Sequence, residues 1–486
     1  MNKWLSKVFG IALVLSLIAG CTSGASTSSS SNTNATTPTN AAATGEATSS
    51  VVPTDGNFLP SKPTEVIFWH SMTGEAAEMI EKTAKEYNES VGKEKGITIT
   101  PTFQGTYDEA STKLAAILQS DSQEELPDIM QLSSKGIFDV KNSEYIVPVQ
   151  DFIEQDSEGI NLNDLNQNAM QYAMYKDKML GLPFSNSSIM IYYNKDHFKE
   201  AGLDPKSPPT TLEELAAAVD KLAVVENNKT TRYGIGIKLR FFLLGTWIPM
   251  QGENKYIFNN EDGHLDTPTE LSMTSDGTLE TLLTEWEKVL ATGGVEYTDT
   301  SPMAGFQSGL YSIMPASTAS MGSVTKNIID AGLFDVGVAE LPRLNENSTT
   351  GTGVGGSAVY LFDRGNKDSI LGAWDYLKYL ATPEVSAEWF KSTGYYPMNN
   401  QAMELEGTKQ FLEKNPQFNI IQTIMEHSKN YTKYLEPWVP SFTDMDQLIQ
   451  DEIIKFSNGS QDMATTISNI DSSTNQLLQD WHTANP

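Results

Sequence analysis

Alternating apolar and polar positions organise the chain from about residue 64 onward. Short apolar runs typical of strands at 65–69, 97–100 and 128–132 alternate with apolar stripes at helical spacing over 74–89 and 107–119. This strand–helix–strand order predicts a mostly parallel sheet covered by helices, which is the signature of an α/β fold.

A second set of elements follows, which favours two α/β lobes over one large sheet. Further strands are predicted at 189–193, 233–237, 310–314, 334–338 and 357–362. The strongest helical stripe, which we interpret as core packing, consists of Leu279, Leu282, Leu283, Trp286, Val289 and Leu290. After residue 368 the pattern is mainly helical to the end of the chain.

One helix start is indicated by its capping residues. Thr211 and Glu214 have the spacing of a capping box, so a helix should begin there and continue to about Leu222. The prediction places this helix between the strands at 189–193 and 233–237.

Composition excludes several classes of function. Among 486 residues, 33 Lys and Arg stand against 62 Asp and Glu, so the net charge is −29. Such acidity argues against nucleic-acid partners and against polybasic attachment to anionic lipid. A single cysteine excludes an intramolecular disulfide, and five histidines without helical ligand spacing give no support for a metal site. We therefore expect no metal and no other cofactor.

The cysteine lies where a lipid anchor would be attached. Residues 1–20 contain two lysines, a short apolar run and two small residues before Cys21, in the order of a bacterial lipoprotein signal peptide. Residues 21–63 are rich in Ser, Thr, Asn and Ala, which predicts a flexible tether. We expect cleavage before Cys21, lipidation with palmitate, and a location on the extracellular face of the cell membrane, with the lipid as the only membrane contact.

One apparent nucleotide motif fails on its context. Residues 351–356 read GTGVGG and match G-x-G-x-x-G, but the predicted strand 357–362 follows where the dinucleotide fingerprint needs a helix. A glycine-rich turn, close to a ligand or elsewhere, is the better interpretation. No P-loop, nucleophile-elbow or zincin motif occurs in the sequence.

Several segments of the body match the pattern of a known family. They are 68–72 (FWHSM), 192–196 (YYNKD), 201–205 (AGLDP), 355–357 (GGS) and 393–397 (TGYYP). Together they resemble the extracellular solute-binding lipoproteins of ABC carbohydrate uptake systems. Within the maltose-binding-protein-like group (family 1), they resemble the branch of the glycerol-3-phosphate-binding protein.

This resemblance implies a two-lobed, periplasmic-binding-protein-like fold of type II, with three crossings and a cleft between the lobes. Lobe one would comprise 64–184 and 343–391, and lobe two 189–338 and 394–486. It further implies a monomeric, non-catalytic protein that captures a carbohydrate or polyol by hinge closure and delivers it to the transmembrane subunits of an ABC permease.

The resemblance also implies which residues contact the ligand. They are Tyr107, Ser187, Ser317, Gly356 and Tyr395. These groups are chemically suitable, because hydroxyls and a backbone amide bond the oxygens of a polyol, and a tyrosine ring packs on its C–H faces.

Two departures from the family bear on the ligand. Ser134 stands where the family has a carboxylate, and the last quarter of the chain lacks the family's phosphate-binding arginine, with only Lys429 and Lys433 nearby. We therefore expect an uncharged oligosaccharide or polyol, with glycerol 3-phosphate or a glycerophosphodiester as alternatives. Trp69 and Trp438 are the candidates for stacking on sugar rings.

Two other functions remain open from the sequence. A surface glycoside hydrolase would need two carboxylates placed across a cleft, which the spacing of the many acidic residues does not reveal. A ligand-sensing module for a membrane kinase would use the same ligand-driven closure as a transport protein.

Overall fold

The apolar segments form two separate mixed β-sheets in the computed structural model, which describes residues 51–298, 300–349, 351–428 and 436–485. The predicted α/β class is confirmed. The strands in chain order are β1 (Thr64–His70), β2 (Ile97–Phe103), β3 (Ile129–Ser133), β4 (Ile146–Val147), β5 (Met174–Tyr175), β6 (Lys178–Met179), β7 (Gly181–Ser187), β8 (Ile189–Asn194), β9 (Val224–Glu226), β10 (Lys229–Ile237), β11 (Val295–Tyr297), β12 (Tyr311–Ser317), β13 (Val336–Glu340) and β14 (Gly355–Phe362).

The first sheet brings early and late segments of the chain together. Its order is β2-β1-β3-β14-β4, and β7 also pairs with β14. Strand β1 is parallel to β2 and β3, as predicted, whereas β14 is antiparallel to both β3 and β7. The C-terminal ends of β3 and β7 therefore lie beside the N-terminal end of β14.

The second sheet has the order β11-β10-β12-β8-β13, with β9 paired to β10. Ser188 alone separates β7 in the first sheet from β8 in the second. The antiparallel register of β12 and β8 pairs Ser317 with Ile189, so the end of β12 lies beside this crossing. Strands β5 and β6 form a separate two-stranded hairpin.

Helices surround both sheets. They are α1 (Gly74–Glu89), α2 (Val91–Lys95), α3 (Tyr107–Ser120), α4 (Ile137–Val140), α5 (Val149–Gln155), α6 (Gln167–Met170), α7 (Lys195–Glu200), α8 (Leu212–Leu222), α9 (Phe241–Trp247), α10 (Asn259–Asp262), α11 (Ser272–Ser275), α12 (Thr278–Leu290), α13 (Met303–Gln307), α14 (Met321–Val324), α15 (Lys367–Leu380), α16 (Pro383–Thr393), α17 (Glu406–Lys414), α18 (Asn419–Ser428), α19 (Phe442–Ser457) and α20 (Met463–Ala484). Within the described ranges, none has the length and apolar character needed to cross a membrane.

The start of α8 shows how local chemistry sets a helix boundary. The Thr211 hydroxyl accepts a hydrogen bond from the Glu214 backbone N–H at 3.2 Å, as predicted. The Glu214 carboxylate instead accepts from the N–H of Thr210 at 2.7 Å, so only half of the capping box forms.

Each sheet has its own apolar core. The stripe on α12 is buried as predicted, with Leu279, Leu282 and Trp286 at most 2% exposed. These side chains belong to the core of the second sheet, while Phe68 and Trp374 belong to that of the first. Burying one such side chain stabilises the folded state by about 1.5–3 kcal/mol, so each core stabilises the sheet that it packs against.

Candidate functional site

The strand ends described above line a cavity of about 430 Å³. Two larger cavities, of about 540 and 490 Å³, lie elsewhere and contain none of the predicted site residues. The smaller cavity is the candidate site because both sheets and their helices contribute to its wall. It is lined by Thr106, Tyr107, Asp108, Ser133, Lys135, Ser187, Ile189, Arg240, Phe242, Ser317, Gly355, Gly356 and Glu436.

Tyr107 is the first residue of α3 and is fixed there by a complete capping box. The Thr106 hydroxyl accepts from the Glu109 N–H at 3.2 Å, and the Glu109 carboxylate accepts from the Thr106 N–H at 2.7 Å. Burial raises the pKa of Tyr107 well above its usual value, and the nearby Tyr395 and Glu436 raise it further. The Tyr107 hydroxyl is therefore protonated at neutral pH and available as a donor.

Gly356 provides backbone rather than a side chain. Its φ of +125° is disfavoured for other residues, and a Cβ there would lie 2.0 Å from the carbonyl oxygen of Ser185. The absence of a side chain lets β14 approach β7 closely, where Gly355 pairs with Ser187. Only glycine fits this position, and its backbone forms part of the cavity wall.

Ser187 and Ser317 come from different sheets. Ser187 ends β7 and Ser317 ends β12, and both line the cavity beside the crossing at Ser188. The Ser317 hydroxyl accepts from the N–H of Ala319 at 3.1 Å and keeps its own hydrogen to donate. The Ser133 hydroxyl at the end of β3 is buried and has no hydrogen-bond partner in the described part of the chain.

Ser134 is buried, and its hydroxyl donates a short hydrogen bond to the Glu436 carboxylate. The position that lacks the family's carboxylate thus touches a carboxylate from a segment 302 residues later. Sequence reasoning missed Glu436, since its neighbours follow no motif and the contact depends on the tertiary fold.

A guanidinium group was missed in the same way. Arg240, which precedes α9, lines the cavity and donates its Nε–H to Asp446 of α19 at 2.9 Å. The other Asp446 oxygen accepts from the Phe241 N–H at 2.7 Å. Helix α19 therefore contributes an acid that anchors an arginine from another element. Lys135, also in the wall, pairs with Asp108 at 2.8 Å.

The remaining predicted residues do not line the cavity. Trp438 is 1% exposed, and its ring lies 3.9 Å from that of His264. Trp69 is 7% exposed and is covered by the ammonium group of Lys113, 3.9 Å from the ring centroid. Tyr395 is near enough to Tyr107 to raise the pKa of that residue, and its ring stacks on Trp389, with ring centroids 5.9 Å apart.

Some predictions fall outside the described residues. They concern the signal peptide 1–20, Cys21, most of the tether 21–63, and the two lysines at 429 and 433. Within the described ranges, no cluster of three or more His, Cys, Asp or Glu side chains is arranged to hold a metal ion. The cavity presents hydroxyl, backbone, guanidinium and carboxylate groups, which suits a small polar ligand rich in hydroxyls.

The comparisons with known proteins agree on one family. The model described as bacterial extracellular solute-binding protein matches residues 82–419. The sn-glycerol-3-phosphate-binding periplasmic protein of Escherichia coli (strain K12) is 30% identical over 364 residues, or 73% of this chain and 78% of that protein. Its counterpart in Yersinia pestis bv. Antiqua (strain Antiqua) is 29% identical over 386 residues, or 76% and 83%.

Solved structures show the same two-lobed fold. The UgpB protein of Mycobacterium tuberculosis, in complex with glycerophosphocholine, superposes with a TM-score of 0.70 at 18% identity, covering 86% of this chain and 99% of that one. The cyclic α-maltosyl-1,6-maltose binding protein of Arthrobacter globiformis gives a TM-score of 0.68 at 19% identity, covering 86% and 100%. The predicted fold is confirmed.

Proposed function

The chain belongs to the bacterial extracellular solute-binding protein family, and from this premise we propose that it captures a carbohydrate or polyol for the permease of an ABC importer. Membership of this family makes it a non-catalytic transport component, so the glycoside hydrolase alternative is set aside. The observation that carries the proposal is the single cavity that gathers Tyr107, Ser187, Ser317 and Gly356 from two sheets.

We assign these four residues as ligand contacts, and we place Ser134 beside them, where its hydroxyl bonds the Glu436 carboxylate rather than lining the cavity. The division of strands supports lobes at 64–184 plus 343–391 and at 189–338 plus 394–486, because the first sheet uses β1–β4, β7 and β14 and the second β8–β13. Rotation of the two sheets towards each other would bring both walls of the cavity onto the ligand. Closure is then a population shift driven by contacts made only in the closed state.

An uncharged oligosaccharide is the favoured ligand. The relatives are named for sn-glycerol 3-phosphate, and the structural neighbours include complexes with glycerophosphocholine and a protein named for a cyclic maltosyl-maltose. Helix α19 provides no arginine for a phosphate, and the guanidinium of Arg240 is already paired with Asp446. A glycerophosphodiester or glycerol 3-phosphate is the alternative.

The proposal includes a lipid anchor at Cys21, with residues 22–50 as the tether. Residues 51–63, which the composition also assigned to the tether, instead pack on the body, where Val52 and Phe58 are buried in the core of the first sheet. The anchor is supported by the order of charged, apolar and small residues before the cysteine and by the extracellular family of the body. Metabolic labelling with a palmitate analogue should mark the wild-type protein and leave Cys21→Ala unmarked.

A ligand panel tests the proposed function. Thermal midpoints are measured with maltooligosaccharides, xylooligosaccharides, glycerol 3-phosphate and glycerophosphocholine, since a ligand at a hundred times its Kd stabilises by about 2.7 kcal/mol. We expect a neutral oligosaccharide to raise the midpoint. Tyr107→Phe should bind it about threefold to tenfold more weakly, the value of one hydrogen bond. Tyr145→Phe, whose hydroxyl bonds Asp121 outside the cavity, is the matched control. A midpoint unchanged by every compound would contradict the proposal.

A further inference from the structure

Four charged side chains line the cavity, and the charges of three of them are neutralised by a partner. Lys135 and Asp108 pair with each other, and Arg240 is held by Asp446 behind the wall. Glu436 has no cationic partner among the described residues, and its charge is felt inside the cavity, where it raises the pKa of Tyr107. With Asp446 included, the charges of these five groups sum to −1, so Glu436 is the one charge around the cavity that no described residue compensates.

Glu436 is held in place by contacts of its own carbonyl and of the residues that follow it. Its backbone carbonyl lies 3.4 Å from Nε2 of His264, and two residues later the Trp438 N–H donates to the Asp262 carbonyl at 2.7 Å. These contacts fasten the segment to the end of α10 and to the residues that follow it. One carboxylate oxygen accepts the hydrogen bond of Ser134, while the other has no donor among the described residues. A carboxylate that is held in place and has one oxygen without a donor is preorganised to accept one more hydrogen bond.

The nearby polar groups complete a site for a hydroxyl-bearing ligand. The buried Ser133 hydroxyl is unpartnered in the described chain, and both Nη atoms of Arg240 likewise have no hydrogen-bond partner there. A neutral hydroxyl that donates to Glu436 and accepts from Ser133 or Arg240 satisfies the carboxylate and one of the two donors. A phosphate would satisfy Arg240 but would face the Glu436 carboxylate, an unfavourable like-charge contact.

We infer that Glu436 is a specificity-determining residue of this cavity, which accepts a ligand hydroxyl and discriminates against anionic ligands. The inference rests on the proposed function and narrows its substrate class to uncharged sugars and polyols. It also gives the Ser134 position a role, since that hydroxyl orients the carboxylate.

The test compares selectivity, because loss of structure would weaken all ligands alike. Binding of maltotriose, or of whichever neutral oligosaccharide the panel identifies, and of glycerol 3-phosphate is titrated by calorimetry against wild type and Glu436→Gln. We expect at least tenfold weaker binding of the neutral ligand, because a hydrogen bond to a charged group is lost. Binding of glycerol 3-phosphate should be unchanged or tighter, so the ratio of the two affinities falls.

Two further variants keep the result interpretable. Glu280→Gln makes the same charge change on an exposed position of α12 and should leave both affinities as in wild type. Ser134→Ala keeps the carboxylate charge and should weaken the neutral ligand by about threefold to tenfold. This variant also serves if Glu436→Gln does not fold.

The outcomes separate the two proposals. A wild-type protein that binds a neutral sugar, with Glu436→Gln binding it within twofold of wild type, overturns the role of Glu436 and leaves the solute-binding function intact. Tight wild-type binding of glycerol 3-phosphate alone has the same consequence. A wild-type protein that binds no compound of the panel contradicts both.

Discussion

Asp262 is a buried acid at the end of α10, and its backbone carbonyl holds the segment that follows Glu436. Burial raises its pKa from 3.8 to about 7, although the backbone N–H groups of Phe258 and Ile257 partly offset this effect. The Phe258 N–H lies 2.6 Å from Oδ1. Below pH 7 the residue is therefore mainly a neutral acid, a form that burial tolerates.

The sign of the resulting pH dependence follows from linkage. A folded pKa above the unfolded value means that the contribution of Asp262 to stability is fully present below about pH 4 and is lost as the pH rises through 7. Asp262→Asn keeps the acceptor oxygen and cannot ionise, so its melting temperature should exceed that of wild type increasingly from pH 4 to pH 8. Asp220→Asn, at an exposed position of α8, should follow wild type throughout. Parallel curves for wild type and Asp262→Asn would contradict this assignment.

At the scale of elements, the contact between β7 and β14 depends on Gly356. An added Cβ would meet the Ser185 carbonyl and would also occupy an unfavourable φ, which costs about 1–3 kcal/mol. Gly356→Ala should therefore lower stability to urea by at least that amount and weaken ligand binding, because the cavity wall shifts.

Gly407 is the matched control for this substitution. It lies in α17, its φ is not positive, and a Cβ there would meet nothing within 4 Å. Gly407→Ala should leave stability unchanged or slightly raised, because alanine is the better helix former. Equal effects of the two substitutions would show that β14 tolerates a side chain at Gly356.

The elements that periodicity predicts are those with one clear apolar face. The limits of α1 match the prediction, and β1 and β3 agree to within a residue or so. Strand β7 was not predicted, since Pro183 and a polar stretch at 185–187 break any alternation, yet all seven of its residues are buried. Ser187 lines the cavity and the β7 backbone pairs with β14, so tertiary contacts rather than alternation define this strand.

Whether a residue of the candidate site could be predicted depends on how far apart in sequence its contacts lie. Tyr107, Ser187, Ser317 and Gly356 were predicted from the family resemblance, and the fold brings them together. Glu436 and Arg240 are placed by contacts 302 and 206 residues long in sequence, to Ser134 and Asp446. No local pattern encodes such pairs, so the charges of the cavity emerge only from the three-dimensional structure.

At the scale of the whole molecule, Glu75 joins elements of the two sheets. It lies in the first turn of α1, where its carboxylate accepts from the Ser323 hydroxyl at 2.7 Å and lies 3.3 Å from Nζ of Lys326. Ser323 belongs to α14, which follows β12 of the second sheet. Any rotation of one sheet against the other changes these contacts.

Removing the charge of Glu75 should therefore shift the closure equilibrium. With hinge closure as proposed, and with this contact taken as one of the closed state, Glu75→Gln is expected to weaken every ligand by the same factor, about twofold to fivefold, because apparent affinity scales with the population of the binding-competent state. Calorimetry with two different ligands measures this, and Glu81→Gln on the same helix is the control. A loss confined to one ligand would indicate direct contact instead, and no loss would show that the contact does not bias closure.

The place of β14 has a consequence for the order in which the chain folds. This strand lies between β3 and β7, which precede it by well over a hundred residues. The first sheet is therefore incomplete until about three quarters of the polypeptide has been synthesised. Such long-range closure slows folding and leaves two strand edges open in every shorter nascent chain. Until β14 is in place, β3 and β7 each present an unpaired edge on which another chain could pair, so aggregation is a hazard of the incomplete chain.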